Sequence, residues 1–218
     1  MKTRKSRCDG VATRKAILEA ATDEFCEKGY ALGSVRAICA RAGVNVALAN
    51  RYFGSKDELY RATAKALFGD LGAPLAVLHE TAKDAHSWKT AVRKWVSGFL
   101  FMTLPSEKAQ RRCASLFRHE VTQPTRFHDE FRMAFGKPVH DGLRRLLTKA
   151  TDDETELDLW TSSVWAQVSV YALADETWHQ SFRPVGMTTE EWAARLERFI
   201  CEGIFSRLRF RQTPRASF

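Results

Sequence analysis

Cysteine is sparse and unpaired in this 218-residue sequence: five residues, at 8, 26, 39, 113 and 201, with no C-x-x-C spacing. An odd, scattered set excludes the disulfide framework of a small secreted domain and fits a reducing compartment. Six prolines and twelve glycines are too few for a fibrous or low-complexity chain. No long hydrophobic run occurs. The most apolar stretch, around residues 96–104, is interrupted by Ser97, Gly98 and Thr103 and falls well short of the roughly 20 apolar residues a spanning helix needs. The start is basic, yet Val11 and Ala12 run straight into Thr13, Arg14 and Lys15 where a leader would have its apolar segment, so no secretory signal and no membrane association are expected.

Catalytic signatures are also missing. There is no G-x-S-x-G elbow, no Walker loop and no H-E-x-x-H. His79 with His86, and His119 with Glu120 and His128, lack the i, i+4 spacing that puts two metal ligands on one helical face. No enzyme, metal site or cofactor is expected. Cys26 and Cys39 fall on apolar helix faces, where a small buried hydrophobe is the expected role. Cys113 and Cys201 have no basic cluster with a second thiol beside them to argue for redox sensing.

What is present is a hydrophobic share of 44% with 28% charged residues, the balance of a globular protein with a substantial core. Net charge is +8 and unevenly placed: residues 1–65 hold 13 Lys or Arg against 7 Asp or Glu, and the remaining 153 residues are nearly balanced. A basic module for a polyanion, joined to a larger near-neutral part, is the reading. Lys2, Arg4, Lys5 and Arg7 form a basic arm ahead of it.

Helical periodicity dominates and no alternating strand pattern occurs, so the fold class is all-α. Ile17, Ala21 and Phe25 share a face of a first helix from about Thr13 to Lys28, with Gly29 placed to cap it. Ser34 can cap a short second helix whose Val35, Ile38, Cys39 and Ala42 are apolar, and Gly43 breaks it. Asn45 can cap a third from Val46 to about Tyr52. Ser55 to Glu58 reads as a capping box opening a fourth, from Lys56 to about Asp70, stopped by Gly72 and Pro74. Longer segments follow: 87–103, 107–121, 125–149 with a break at Gly136 and Pro138, 153–179, and a last helix from the Thr188–Glu191 capping box to about Arg209. Two short helices joined by a tight glycine turn behind a longer helix have the form of a helix-turn-helix unit, which places its second helix in the DNA major groove; short helical hairpins of ordinary α-domains are the alternative.

Residues 13–21 (TRKAILEAA), with Phe25 and Lys28-Gly29-Tyr30, resemble the opening helix of the TetR family of bacterial transcriptional regulators. Ser34 to Ile38 with Arg41 to Val44, and Arg51 to Tyr60, resemble that family's second helix, turn and the end of its recognition helix. Arg118 to Pro124 with Pro138, and Asn45 to Ala47 with Asn50, resemble its CecR-like branch. The resemblance implies a helix-turn-helix domain with its basic arm over residues 1–55, a connecting helix over 56–72, and a helical effector-binding and dimerisation domain over 73–218 of a bacterial cytoplasmic protein. It implies Ser34 on a phosphate and Arg36 on a guanine edge. Asn45 would cap the recognition helix, with Val46, Ala47 and Leu48 facing thymine methyl groups. Asn50 and Tyr52 would meet backbone or bases and Lys56 a phosphate, with Arg51 close by.

Ala49 departs from the usual larger aliphatic residue, and Asn50 from the usual Tyr. The effector pocket is expected among the aromatic residues of the larger part, at Trp95, Phe99, Phe117, Phe135, Trp165 and Tyr171, with His119 or Gln167 as polar anchors. By resemblance the dimer uses Leu157, Trp160, Val164, Val168 and Tyr171 on one helix and Trp192, Leu196, Phe199 and Ile200 on another. The function implied is a repressor that binds a near-palindromic operator in double-stranded DNA as a homodimer and leaves it when a small-molecule effector binds. An architectural DNA-binding protein without sequence preference, or a small-molecule binder whose DNA contacts have decayed, are the alternatives.

Overall fold

The computed structural model describes residues 3–104, 108–173 and 176–211; the arm side chains Lys2, Arg4, Lys5 and Arg7 lie outside what is described. Among the described residues there are helices and no strands. α1 (Thr3–Leu32), α2 (Val35–Ala42), α3 (Val46–Phe53) and α4 (Lys56–Val77) come first, and a 3-10 turn (Leu78–Thr81) follows α4. α5 (Ala85–Thr103), α6 (Lys108–Thr122), α7 (His128–Phe131), a π-helical turn (Arg132–Gly136), α8 (Lys137–Leu147), α9 (Glu154–Leu173), α10 (Glu176–Phe182) and α11 (Thr189–Arg207) complete the chain.

Several boundaries differ from the sequence expectation. α1 starts ten residues before Thr13, so the backbone of the arm is helical from Thr3. α4 continues through Gly72 and Pro74 to Val77. Pro74 removes one backbone donor, but buried Leu75 packs into the core and α4 lies against α8, so tertiary packing carries the helix over the break. The break expected at Gly136 and Pro138 is a π turn within a continuous helical run, and Pro138, just inside α8, lacks the N–H that would continue the ladder there. α9 ends at Leu173 and α10 begins separately.

Two cores form. One gathers Trp88, Trp95, Val96, Leu100, Leu143 and Leu146 with Val164, Val168, Ile200 and Ile204, joining α5, α8, α9 and α11. The indole N–H groups of Trp88 and Trp95 donate to Leu146 O at 2.8 Å and Val139 O at 3.1 Å, so neither ring leaves a buried donor unpaired. The other core gathers Ile17, Phe25, Ile38, Ala49, Phe53 and Leu59, and it extends to Cys113 and Leu116 of α6 and to Phe127 and Phe131. The first three helices therefore share their core with α6 and α7.

Candidate nucleic-acid interface

Local chemistry fixes the α2–α3 hairpin. Ser34 sits in extended backbone ahead of α2, and its hydroxyl accepts from Ala37 N–H at 3.4 Å. At the other end Gly43 is left-handed (φ 67°, ψ 31°); its N–H donates to Ala40 O at 3.3 Å and Val44 N–H to Cys39 O at 3.0 Å. That pair of bonds closes the helix and turns the chain in one residue, and only glycine takes this conformation without strain. Asn45 Oδ1 then accepts from Leu48 N–H at 2.8 Å, and α3 begins. Gly54 N–H closes its far end on Asn50 O at 2.7 Å.

The periodicity of α3 splits it into two faces. Ala49 and Phe53 are buried, while Asn45, Val46, Ala47, Asn50 and Arg51 face solvent, with Leu48 and Tyr52 half-buried. Arg36 and Ser34 are exposed on the same hairpin. The expected DNA-facing residues thus lie on its outer side, with one difference. The Lys56 ammonium donates to Ala31 O at 3.3 Å and lies 4.6 Å over the Tyr30 ring, and burial holds its pKa below the ordinary lysine value. Lys56 is thus engaged with the end of α1, away from a free phosphate-binding geometry.

Behind the hairpin, Glu24 of α1 is buried and ties three elements together. Lys28 Nζ donates to it at 2.9 Å and Ser34 N–H at 3.1 Å, and Arg41 of α2 lies 3.7 Å away. Burial pushes the Glu24 carboxyl up, but the bonds from Lys28 and Ser34 with the Lys28 and Arg41 charges outweigh it and hold its pKa below the usual value.

Sequence reasoning did not find the seam between α1 and α6. Arg112 grips Asp23 (Nε–Oδ1 2.9 Å) and Glu19 (2.8 Å). Ser115 Oγ donates to Cys26 O at 2.6 Å, and the thiol of Cys26 to Arg112 O at 3.3 Å. Beyond α6, buried Glu120 accepts from the Tyr60 hydroxyl and from Thr125 Oγ1 at 2.9 Å. His119 belongs to this seam: Nε2 lies 3.2 Å from Cys26 O, with its ring packed on Gly29. That placement sets His119, expected as an effector anchor, apart from the residues that line the aromatic chamber. Cys26 and Cys113 are both buried beside this seam, and burial pushes their thiols up to about 12 and about 11, so neither is a ready thiolate. Burial pushes the Cys201 thiol up as well.

Of the remaining effector candidates, Phe99, Phe117, Phe135 and Trp165 come together around a small chamber of about 50 Å³ between α4, α5, α6 and α9. Trp95 is fully buried and stacks on Phe99 at 5.3 Å, behind the chamber wall. Tyr171 is half-buried against the α5–α9 core. Gln167 lies elsewhere, exposed on α9, with its amide donating to Ser163 O at 3.2 Å. Sequence reading missed Phe68 and Phe131, which also line the chamber; the Tyr60, Ala64, Phe68 spacing on α4 was the available signal. Among the described residues no His, Cys, Asp or Glu cluster could hold a metal, and no helix is long and apolar enough to cross a membrane.

A three-helix unit with an outward recognition helix, set on a larger all-helical part, defines a helix-turn-helix protein. Residues 17–63 match the N-terminal domain of bacterial regulatory proteins of the tetR family. A helix-turn-helix transcriptional repressor of Mycobacterium tuberculosis is 47% identical over 68 residues, 31% of this chain and 34% of its own, so the match spans about a third of that relative. The dual regulator CecR of Shigella flexneri is 25% identical over 177 residues, covering 77% of this chain and 79% of its own. A TetR-like regulator from Rhodococcus superposes with a TM-score of 0.66 at 18% identity, over 89% of this chain and 97% of that one. FadR of Bacillus subtilis, solved with stearoyl-CoA, gives 0.62 at 16%, over 87% and 98%. Residues 17–63 thus match the tetR-family N-terminal domain, and over most of its length the chain is similar to regulators of that family in sequence and fold.

Proposed function

We propose that this protein is a transcriptional regulator, a repressor that binds a near-palindromic operator as a homodimer and is released by a small-molecule effector. The observation that carries the reading is the outer face of α3: Val46, Ala47, Asn50 and Arg51, with Arg36 beside them, face solvent on a hairpin whose ends are capped and whose other side is buried. A single exposed helix with arginines at its edge suits insertion into a major groove. Names of the relatives support it, as transcriptional regulators and a repressor. Arg36 would read a guanine edge and Val46 to Leu48 thymine methyls. The basic module over residues 1–55 would carry DNA, α4 would connect, and residues 73–218 would take effector and partner. Catalysis has no part in this reading.

Dimerisation would use the outer side of α9 and α11. These helices leave a surface groove of about 490 Å³, edged by Trp160, Gln167 and Phe199, and Phe199 is 71% exposed. Leu157, Val164, Val168 and Ile200, expected at the interface by resemblance, are instead buried in the protomer's own core. Outside that core, Trp160 of α9 and Phe199 of α11 edge the groove and would meet a partner. The effector would occupy the aromatic chamber, and FadR, solved with stearoyl-CoA, supports a small-molecule ligand in such a fold. An effector that prefers one spacing of the two recognition helices shifts the population toward it, with a coupling of about 1–3 kcal/mol typical of such linkage.

The test is selection of fragmented source-genome DNA on the purified protein near physiological salt. A few enriched fragments sharing a near-palindrome support the reading. Uniform, salt-sensitive recovery replaces it with an architectural role. No recovery by folded, dimeric protein overturns DNA binding.

A further inference from the structure

A second, larger cavity lies outside the aromatic chamber and shares a wall with it. α4 and α8 touch at Gly142, where an added Cβ would sit 2.8 Å from Ala76 Cα and Leu75 O. From that contact the helices part, leaving an open groove of about 840 Å³ between α4 and the run from α7 to α8. One face of α4 lines it, with Arg61, Lys65, Gly69, Gly72, Ala73 and Ala76 at successive helical turns. The floor is made of small residues, so there is room, and the facing wall is aromatic: Phe127, Phe131 and Phe135.

The two ends of this groove differ in charge. The end near the α4–α8 contact is apolar, with Ala73, Ala76, Val77, Pro138 and Val139. The other holds all the charged lining residues: Arg14, Glu58, Arg61, Lys65 and Glu130. Both carboxylates are used by one cation, since Arg61 pairs with Glu58 and, at 2.9 Å, with Glu130. Arg14 lies 4.8 Å over the Phe53 ring. Among the described residues Lys65 has no carboxylate partner, and its stem lies along the floor at Gly69, where an added Cβ would stand 3.8 Å from Lys65 Cγ. The cationic end is therefore in positive excess.

Between groove and chamber stand Phe68, Phe131 and Phe135, with ring centroids 4.9 to 5.7 Å apart, and they line both spaces. Phe135 sits in the π turn, a geometry that recurs at functional sites.

We propose that this groove binds a free, single-tailed amphipathic anion. Its acidic head pairs with Lys65, with Arg14 adding to the field, and its tail lies along Gly69, Gly72 and Ala73 toward the phenylalanine set. A charged or strongly polar ligand end has no partner at the apolar end, where burying it unpaired would be costly. A neutral ligand leaves the Lys65 end unused. The proposal adds a second site beside the chamber and rests on the effector reading only for its regulatory meaning.

The experiment is calorimetric titration of the full chain with straight-chain carboxylates of 8 to 12 carbons and the matching primary alcohols, all below their micelle concentrations. Carboxylates should bind at least tenfold more tightly than alcohols, and each added methylene should tighten binding by about fourfold. Lys65→Glu should erase the preference for the acid while leaving alcohol affinity unchanged, and Lys65→Arg should keep it. Ala73→Trp, at an exposed position on the floor, should weaken both series at least tenfold. Equal affinity for acid and alcohol, an unchanged preference in Lys65→Glu, no effect of Ala73→Trp, or no binding by either series would each overturn the proposal. Genomic DNA selection without ligand fails or succeeds independently, so loss of the regulator reading is distinguishable from loss of this one.

Discussion

In the α2–α3 hairpin the bonds that set the geometry join residues three to five positions apart: Ser34 with Ala37, Cys39 with Val44, Asn45 with Leu48. At the α1–α6 seam the bonded partners lie 86 to 93 residues apart, and most of them are polar or charged: Arg112 with Asp23, Ser115 and His119 with Cys26. In the hairpin the caps and the turn are set by neighbouring residues along the chain. The seam lays ion pairs and single hydrogen bonds beside a shared apolar core that includes Cys113 and Leu116 of α6, so the placement of α1 depends on α6 in a way the hairpin's turn does not. One face of α6 lines the aromatic chamber (Cys113, Ala114, Phe117) and the next grips α1, which joins the two regions through one rigid element. The difference teaches where rigidity is kept and where adjustment is possible.

The strongest way to break this contrast is to damage the larger core and ask whether the hairpin notices. Trp95→Ala removes a fully buried indole that also donates to Val139 O, and a loss of about 3–5 kcal/mol is expected in urea unfolding. If the folded fraction keeps its affinity for a selected DNA site, the hairpin is self-contained. Arg112→Ala comes next. Its guanidinium is largely buried and grips two carboxylates, so its removal should cost about 1–3 kcal/mol, between the values for exposed and buried pairs. It should also change DNA affinity with no change in base preference. Unchanged affinity would show that the seam does not position the hairpin.

The same contrast explains what was legible in the sequence. Caps and turns depend on residue type at fixed short spacing, so Ser34, Gly43, Asn45 and Gly54 could be placed by reading along the chain. Helix faces followed from periodicity, which set Ile17, Ala21 and Phe25 of α1 and Ile38 and Cys39 of α2 inward, as they are. The seam could not be read, because nothing in Arg112 or His119 states that Asp23 or Cys26 lies opposite after ninety residues. His119 looked like a ligand anchor for that reason. Pro74 misled in the other direction: its local rule is sound, but packing around Leu75 carries α4 past it. Aromatic density in a near-neutral segment drew attention to Phe99, Phe117, Phe135 and Trp165, which line the chamber, and equally to Trp95 and Tyr171, which pack in or against the core.

Smaller perturbations sharpen the comparison. Asn45→Ala removes the cap of α3 and should cost about 1 kcal/mol, read in urea unfolding. Because the cap is local, the loss should add to that of Arg112→Ala without coupling. Non-additivity above measurement error would mean that hairpin and seam form one unit. Glu24 tests the joint between them by pH. Its folded carboxyl is held below the usual value, so its contribution is fully present above the unfolded pKa of about 4.3 and is lost as pH falls through the folded one. Glu24→Gln should therefore be less stable than the parent near neutrality and converge with it in acid, as followed by urea midpoints from pH 7 downward. Parallel curves would show that the carboxylate charge does nothing there.

The smallest effect is expected at Arg126. Its guanidinium pairs with Asp57, bonds the Tyr30 hydroxyl at 3.0 Å and lies 5.1 Å from the Phe127 ring centroid, but the side chain is 63% exposed. Water and salt screen such a pair, and fixing a long side chain costs entropy. The Tyr30–Asp57 hydrogen bond at 2.6 Å survives its removal. Arg126→Ala should leave the urea midpoint unchanged at any ionic strength. A measurable drop that vanishes in high salt would mean that this exposed pair helps hold the joint between α1, α4 and α7. The adjustable seam would then be narrower than its many polar contacts suggest, confined to the side of α1 that faces α6.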